Sequence, residues 1–244
     1  MEPIHPVIVI ADMHFGYRDT KIKKESFMSL MSMAHLAGAE VVFLGDTFDL
    51  WRRKDSEIME YNKECLDCIS VDATFISGNH DLTICGQESY HIYGKNKLFS
   101  FIHGHQLEVA TCMESIGARR YSRWSCYLCG CGNTLGGILS MAWRLWEFSG
   151  MIYSLYNKYL KRPEAIARDI SEIQKLADNK IARNVLLNGA FLPTNSEFVL
   201  IYGHTHQWKF GDISINVGAF GENGEYLLID KDGKCFKQSV LSPK

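Results

Sequence analysis

The sequence predicts an α/β protein in which two β-sheets pack together and helices lie outside them. Early in the chain, apolar runs typical of buried strands alternate with helical patterns, which favours a largely parallel sheet. Late in the chain, short strands follow one another through glycine-containing turns, which indicates a second sheet. Five of the apolar runs end in histidine- and carboxylate-rich clusters, so ligands are expected beyond the carboxyl ends of the strands.

The individual elements are predicted from apolar runs and from helix and turn signals. We predict strands at 6–11, 40–44 and 72–77, helices near 21–38 and at about 55–69, and a hairpin formed by 90–93 and 97–102. Gly38 is expected to end the first helix. Further strands are predicted at 198–202, 206–210, 213–217, 225–230 and 234–238, with turns such as Asp232-Gly233 between them.

The segment 110–196 differs from the rest of the chain in charge and aromatic content. It holds 11 Lys/Arg and 6 Asp/Glu, a net charge of +5, whereas the remainder carries −7. It contains three of the five tryptophans and none of the histidine clusters. Helices are predicted at 138–160 and from Pro163 onward, the latter with an apolar stripe that packs within the segment. We therefore predict a helical cap insertion at 110–196 within a catalytic domain made of 1–109 and 197–244.

The composition is that of an ordinary globular protein. A chain of 244 residues with 46% hydrophobic and 22% charged residues fits one domain, or one domain with a large insertion. The net charge of −2 argues against nucleic-acid binding that depends on overall basicity. The N-terminal sequence lacks signal-peptide features, so the eight cysteines are expected to be reduced thiols in the cytoplasm. The uncharged stretch 124–143 is too weakly apolar for a membrane span, but a peripheral membrane surface on the cap stays open.

Five clusters carry the chemistry of the chain. In order they are Asp12-Met13-His14, Gly45-Asp46-Thr47-Phe48-Asp49, Gly78-Asn79-His80-Asp81, His103-Gly104-His105 and Gly203-His204-Thr205-His206. They follow the apolar runs VIVIA, VVFL, ATFIS, FSFI and FVLIY. A single such cluster is usually a turn, because Asp and Gly favour turns after strands. Packing does not explain five of them in order, so we predict one metal site along a single sheet edge.

The ligand types indicate which ions and which reaction the site suits. Carboxylate, imidazole and amide oxygen together favour Mn²⁺, Fe²⁺ or Zn²⁺, among which we favour Mn²⁺. Seven good ligands exceed what one ion needs, so two divalent ions are predicted, with Asp46 best placed to bridge them. Two ions about 3.5–4 Å apart can clamp a phosphoryl group and lower the pKa of a bridging water, which gives a hydroxide nucleophile near neutral pH.

The ordered pattern D-X-H, G-D-X-X-D, G-N-H-D, H-G and G-H-T-H resembles the calcineurin-like metallophosphoesterase superfamily over residues 12–206. The resemblance implies a four-layer α/β/β/α sandwich and a two-metal phosphoester hydrolase. It implies that one ion is held by Asp12, His14, Asp46 and His206, and the other by Asp46, Asn79, His103 and His204. His80 would bind neither ion and would act beside the phosphate as general acid or transition-state stabiliser.

Several neighbouring residues receive supporting roles. His103 ends its strand and is favoured over His105 as the ligand, which leaves His105 to face the substrate or cap a loop. Asp49 is expected to orient a ligand and Asp81 to fix the loop around His80. For Asn216 a supporting role and a turn role are equally consistent with the sequence.

The insertion and GDTFDLW followed by Arg52-Arg53 are similar to the UDP-2,3-diacylglucosamine pyrophosphatase group, which cleaves a lipid-linked nucleotide. That group has Arg where this chain has His80, and H-G-D where this chain has His103-Gly104-His105. We therefore predict a phosphodiester or pyrophosphate of a nucleotide or lipid-linked molecule as substrate. The residues expected to contact its phosphates are Arg52, Arg53 and some of Arg119, Arg120 and Arg123, although a solvated basic face would look the same.

The cysteines and two alternative functions complete the predictions. Cys126, Cys129 and Cys131 form either part of a structural metal site with Cys112 or free buried thiols, and Cys65 and Cys68 are expected to pack on a helix. One alternative function is a Mn-dependent nuclease resembling the double-strand-break repair type, which shares G-N-H-D. The other is a non-catalytic protein-binding scaffold, which the presence of His80 and every metal ligand disfavours.

Overall fold

The computed structural model describes residues 5–16, 24–51, 54–69, 72–84, 86–94, 96–107, 129, 175, 178 and 197–241. In chain order the elements are β1 (Val7–Ile10), α1 (Lys24–Leu36), β2 (Glu40–Leu44), α2 (Asp55–Tyr61), α3 (Lys63–Asp67), β3 (Thr74–Ile76), β4 (Ser89–Tyr93), β5 (Lys97–Ile102), β6 (Glu197–Tyr202), β7 (Trp208–Phe210), β8 (Ser214–Val217), α4 (Phe220–Asn223), β9 (Glu225–Ile229) and β10 (Cys235–Ser239). All ten predicted strands are present, and α4 was not predicted.

The strands form two mixed sheets, which confirms the predicted α/β class. The first has the order β10-β9-β1-β2-β3 and the second β4-β5-β6-β8-β7. Strands β1, β2 and β3 run parallel, as do β5, β6 and β8, while β9, β10, β4 and β7 are antiparallel additions. The expectation of a largely parallel sheet is therefore too simple. Short hairpin connections impose antiparallel pairing, and β9 returns beside β1 to extend the first sheet.

One hydrophobic core lies between the two sheets. Alternate residues of β1, such as Val7 and Val9, meet Phe99 and Phe101 of β5 in this layer. The intervening residue Ile8 faces the helices on the other side of the first sheet. Because both faces of the central strands are buried, their sequences are continuous apolar runs rather than alternating patterns.

Helix α1 covers the outer face of the first sheet through one apolar stripe. Its buried residues are Phe27, Leu30, Met31 and Ala34, which share a face at helical spacing. Phe27 packs against Phe43 of the sheet and against Phe220 of α4. The helix ends at Leu36, and Gly38 follows with a left-handed φ of 61°, which is the usual arrangement at a helix C-terminus.

The predicted helix at 55–69 is two helices, because Asn62 interrupts it. Asn62 adopts φ −107° and ψ 14°, and its Nδ2 donates a hydrogen bond to the Ile58 carbonyl at 3.0 Å. Asparagine side chains compete with the helical backbone in this way and favour helix ends over interiors.

The outer face of the second sheet is also buried, by a cluster that includes Leu98 and Leu200. Asp178, one of the three described residues of the insertion, accepts hydrogen bonds there from Ser214 Oγ at 2.8 Å and from Ile213 N at 3.3 Å. The predicted cap helices at 138–160 and after Pro163 lie outside the described residues. Within the described ranges, no helix combines the length and apolar character needed to cross a bilayer.

Candidate metal centre

The five clusters occupy the loops at the carboxyl ends of β1, β2, β3, β5 and β6. Backbone hydrogen bonds join these loops in pairs. His14 N donates to the Asp46 carbonyl at 2.8 Å in the first sheet, and Gly203 N donates to the His103 carbonyl at 2.8 Å in the second. The loops from both sheets therefore converge on one end of the sandwich.

Five of the clustered residues have an unusual backbone conformation. They are Asp12, His14, Asp46, His204 and His206, with φ between 49° and 69°. Elsewhere in the described ranges only glycines have a positive φ. Side chains other than glycine rarely adopt this region, and such conformations, costing roughly 1–3 kcal/mol each, gather at functional sites. The folded loops thus impose strain on these residues in order to aim their side chains inward.

The two carboxylate oxygens of Asp46 have different contacts. Oδ1 accepts a hydrogen bond from His80 N at 2.8 Å. Oδ2 lies 3.3 Å from His103 Nε2 and 3.9 Å from His14 Nε2. One oxygen therefore anchors the neighbouring loop while the other faces the imidazoles.

Asp12 follows the same plan on the other side of the site. Its Oδ2 accepts a hydrogen bond from His204 N at 2.9 Å, which ties the first sheet to the second. Its Oδ1 lies 3.4 Å from His206 Nε2. Both carboxylates thus present one oxygen each to the histidine cluster.

Among the described residues, the candidate ligand atoms fall into three overlapping groups, and the atoms of each group lie within 4.8 Å of one another. Asp46, His103 and His204 form one group, called the inner group here, and Asp12, His14 and His206 form another, called the outer group. The third joins His14, Asp46 and His80 between them. Asp46 and His14 each belong to two groups, so the geometry places a shared carboxylate at the centre.

Hydrogen bonds at Nδ1 decide which ring nitrogen of two histidines faces the site. His103 Nδ1 lies 2.9 Å from the Leu44 carbonyl, and His206 Nδ1 lies 2.8 Å from Glu222 Oε1. Because a carbonyl or carboxylate oxygen only accepts, each Nδ1 carries a hydrogen. In the neutral ring, Nε2 then offers its lone pair, and His103 Nε2 also lies 3.2 Å from Asn79 Oδ1.

His103 rather than His105 lies among the ligand-bearing groups. His103 is fully buried and contacts Asp46, whereas the His105 ring stands 5.5 Å from the His103 ring and 6.4 Å from that of His204. Burial, together with His103 and His204, lowers the pKa of His105 to about 3. His105 is therefore a neutral ring at the rim of the inner group.

His80 is held by Asp49 and by an aromatic neighbour. Its Nδ1 lies 3.0 Å from Asp49 Oδ1, so Asp49 orients the His80 ring. The Trp51 ring stacks on the imidazole at 3.9 Å with 17° between the planes. The Cys129 thiol donates to the His80 carbonyl at 3.2 Å.

Asp81 and Asn216 fasten the loops around the site. Asp81 accepts hydrogen bonds from the backbone of Gly78 at 2.6 Å and of Thr47 at 2.7 Å, which joins the third cluster to the second. Asn216 Nδ2 donates to Thr205 Oγ1 at 2.5 Å, and its Oδ1 accepts from Gly218 N at 3.1 Å. Asn216 therefore supports the last cluster and its own turn together.

The electrostatics of the site favour a bound cation. Burial alone raises the pKa of Asp46, but His103, His80 and His14 outweigh it and hold that pKa well below its usual range. Burial alone lowers the pKa of His103, yet chiefly Asp46 raises it to about 10. Chiefly Asp12 and Glu222 likewise raise the pKa of His206 to about 9. Asp46 is thus ionised, and the His103 and His206 imidazoles are strongly basic.

Two buried atoms test whether the residues fit a metal ion. Asp12 Oδ1 and His14 Nε2 are buried, and in the described part of the chain neither makes an aligned hydrogen bond. Buried polar atoms normally have a partner, and a cation would supply one for both. Carboxylate, amide and imidazole donors suit Mn²⁺, Fe²⁺ or Zn²⁺. The arrangement therefore fits a divalent metal centre.

Packing explains why two positions in the clusters are occupied by glycine. A Cβ at Gly78 would overlap the Asp46 carboxylate and its backbone nitrogen, and a Cβ at Gly203 would stand 2.6 Å from Asp12 Oδ2. Both glycines let a neighbouring loop approach a candidate ligand more closely than any side chain permits. The glycines of the clusters thus serve the site rather than only the turns.

Sequence reasoning missed Trp51, Glu222 and the contact of Cys129. Trp51 lies two residues after the last residue of the second cluster, so its position in GDTFDLW was the available signal. Glu222 lies 16 residues after His206 and has no local signal. The predicted substrate residues Arg52, Arg53, Arg119, Arg120 and Arg123 lie outside the described residues, as do Cys112, Cys126 and Cys131.

Comparisons with known proteins found one matching family model and several similar solved structures. A family model described as calcineurin-like phosphoesterase matches residues 5–208. Vps29 from Entamoeba histolytica complexed with Zn²⁺ is 13% identical, with 97% of this chain and 99% of that chain covered and a TM-score of 0.44. The phosphoesterase YfcE from E. coli is 13% identical, with 97% and 100% covered and a TM-score of 0.40. A dimetal phosphatase from Danio rerio is 12% identical, with 98% and 100% covered and a TM-score of 0.46.

The family assignment rests on the family model. No curated protein matches the chain significantly. The matched segment runs from before the first cluster to beyond the last, and it covers most of the chain. The chain therefore belongs to the calcineurin-like phosphoesterase family and is a metal-dependent phosphoesterase.

Proposed function

We propose that this phosphoesterase is a two-metal hydrolase that cleaves a phosphodiester or pyrophosphate bond of a nucleotide or lipid-linked substrate. The observation that carries the proposal is the central position of Asp46. Its carboxylate belongs both to the inner group and to the group with His14, within 4.8 Å of the other ligand atoms in each. A single ion would not require two such groups around one carboxylate.

The proposed ligand sets follow this arrangement. The outer ion is held by Asp12, His14, Asp46 and His206, and the inner ion by Asp46, Asn79, His103 and His204. Two bound divalent ions, most favourably Mn²⁺, would polarise the phosphoryl oxygens and activate the water nucleophile. The chain itself orients the ligands, through the Leu44 carbonyl on His103 and the Glu222 carboxylate on His206.

His80 is the proposed general acid. Asp49 Oδ1 lies 3.0 Å from Nδ1 of the His80 ring, and Nε2 is the nitrogen that would carry a proton to the leaving oxygen. Its side chain is 17% exposed, which leaves access for a substrate at the edge of the site. A general acid contributes roughly 10²–10⁴-fold to rate.

Substrate choice is proposed to lie in the basic insertion. Residues 110–196 carry a net charge of +5 over a body of −7, which suits an anionic substrate. Arg52, Arg53 and some of Arg119, Arg120 and Arg123 are proposed to contact its phosphates. The apolar and aromatic content of the insertion would admit a lipid-linked group and peripheral membrane contact, in a protein that works in the cytoplasm.

A metal-reconstituted substrate screen tests the function. The purified protein is loaded with Mn²⁺, Fe²⁺ or Zn²⁺ and assayed on phosphomonoesters, phosphodiesters, pyrophosphates and single-stranded DNA. We expect turnover of a diester or pyrophosphate, with two ions per chain. His80→Ala should reduce turnover by roughly 10²–10⁴-fold while the metal content stays near two. A His80→Ala enzyme at full rate would contradict the mechanism, and turnover of DNA alone would replace it with a nuclease.

The arginine proposal has a separate test. Each of Arg52, Arg53, Arg119, Arg120 and Arg123 is replaced by Gln, and kcat/KM is measured on every active substrate. Loss of a phosphate contact should lower kcat/KM by about 10- to 150-fold, because a charge-assisted hydrogen bond contributes about 1.5–3 kcal/mol. If all five variants keep the wild-type efficiency, these residues form a solvated basic face instead.

A further inference from the structure

We propose that Trp51 is a positioning residue for His80, acting on proton delivery rather than on substrate binding. The inference rests on the proposed function, in which His80 protonates the leaving oxygen. It concerns a residue outside the five clusters whose indole ring meets the third cluster at two points.

The first point is the stack on the imidazole. The Trp51 and His80 ring centroids are 3.9 Å apart with 17° between the planes. The His14 ring meets the same imidazole edge-on, at 5.0 Å and 85°. Asp49 Oδ1 holds Nδ1 at 3.0 Å. The stack fixes the tilt of the ring and the Asp49 contact fixes its rotation, so the direction of Nε2 depends on both.

The second point is the backbone beneath the ring. Trp51 Nε1 donates a hydrogen bond to the Asn79 carbonyl at 2.9 Å. The preceding residue, Leu50, donates through its N–H to the His80 carbonyl at 3.2 Å. The segment that carries Trp51 therefore contacts the loop of Asn79 and His80 in two ways, through hydrogen bonds to main-chain carbonyls and through the stacked ring.

The indole thus has two separable functions. Its face orients the His80 ring, and its N–H holds the carbonyl of Asn79, a proposed metal ligand. Trp51→Phe keeps an aromatic face and loses the N–H, whereas Trp51→Leu loses both. A difference between these two variants measures the contribution of the stack.

The experiment compares two phosphodiesters that share one phosphate group and differ in the leaving alcohol. Protonation matters for a basic leaving group such as an alkoxide and little for p-nitrophenolate. We expect Trp51→Leu to lower kcat by about 10- to 100-fold on the alkyl diester, with KM nearly unchanged, since small displacements of a catalytic group can cost about 10²-fold. On the p-nitrophenyl diester the loss should be severalfold at most. Trp51→Phe should restore most of the lost rate.

The double variant with His80→Ala separates this inference from the proposed function. If Trp51 acts through His80, Trp51→Leu should cause no further loss in the His80→Ala background. Losses that multiply, or that are equal on both diesters, would overturn the positioning role while leaving His80 in place. A His80→Ala enzyme at full rate would instead overturn the proposed function.

Controls exclude general damage. Phe210→Leu removes a half-exposed aromatic ring from β7, outside the site, and should leave both kcat values unchanged. Metal content and thermal unfolding are measured for every variant. If Trp51→Leu does not fold, Trp51→Met takes its place, because it also removes the aromatic face, and an equal loss on both diesters with that variant overturns the inference.

Discussion

The inner and outer groups of the metal centre use the same ligand chemistry but are built differently. In the inner group His103 is 0% exposed and bonded to the Leu44 carbonyl of β2. In the outer group the His206 side chain is 35% exposed, and its Nδ1 contacts the carboxylate of Glu222, which is 50% exposed. One group is therefore fixed by a strand in the core, the other by a carboxylate at the surface.

The difference indicates unequal metal affinities. Ligands held by packed strands keep their geometry more precisely than ligands supported from loops and short helices. His206 is supported from α4, which has only four residues. We therefore expect the inner ion to bind tightly and the outer ion to exchange. Asp46, shared between the groups, should be needed for both.

The largest effect is expected from removing the shared carboxylate. Asp46→Asn should lose both ions and lower kcat/KM by more than the roughly 10–100-fold typical of supporting residues. Asp12→Asn should keep about one ion, since only the outer group loses a ligand. Metal content after gel filtration, together with kcat/KM, measures both. Two ions retained in Asp46→Asn would contradict the bridging role.

A second large effect is expected at Gly78. A methyl group there overlaps Asp46, so Gly78→Ala should destabilise the protein by about 1–3 kcal/mol and weaken the binding of the inner ion. Urea unfolding and metal titration measure the two effects. Gly86→Ala is the matched control, because a Cβ at Gly86 meets nothing within 4 Å. Equal stability of both variants would refute the packing argument.

A third prediction concerns pH and the metal-free protein. The folded pKa values of His206 and His103, about 9 and about 10, lie above the ordinary value of 6.5. A raised histidine pKa stabilises the folded state fully below about pH 6.5, and this stability is lost as the pH rises through the folded pKa. Urea unfolding in chelator should therefore show stability falling from pH 6.5 toward pH 9–10.

Metal binding should show the opposite dependence. Ions bind deprotonated imidazoles, so affinity should rise over the same interval, and binding should release protons. His206→Asn should remove the share of the stability loss that His206 contributes and leave the share that His103 contributes. Calorimetry in buffers of different ionisation enthalpy measures the protons released. Stability that rises over this interval would contradict the assignment.

The smallest effect is expected at Glu222. Glu222→Gln removes the carboxylate that orients His206, and should lower the affinity for the outer ion by about tenfold or less. This is the low end for a supporting residue, because Glu222 is half exposed. The inner ion should be unaffected. Glu225→Gln is the control, since that carboxylate pairs with Lys237 at 2.6 Å instead. A loss at the inner ion would break the distinction between the groups.

The strands and the meeting of the clusters were predictable from local patterns. Runs such as VIVI and EVVFL are apolar throughout because both faces of β1 and β2 are buried. The carboxyl ends of parallel strands lie at one edge, so polar residues that follow them converge. Asp12 and Asp46 could therefore be placed together without any knowledge of the sheets' packing.

The partners of these residues were not predictable, because they depend on how distant segments pack. Asp49 was expected to orient a metal ligand, and its contact with His80 was not foreseen. The stack of Trp51 and the Glu222 contact join elements that no local pattern connects. The helix break at Asn62 was only partly predictable. Asparagine favours a helix end, but the helical pattern on both sides of it indicated one continuous helix.

The sequence by itself determined the strands, the donor types and their order, since each depends on neighbouring residues and on burial. Tertiary structure alone decided which oxygen of Asp12 and Asp46 faces the site, which nitrogen of His103 and His206 does so, and which ring lies against His80. These choices arise where loops from two sheets meet. A side chain's chemistry belongs to its own residue, whereas its orientation is set by whatever packs against it.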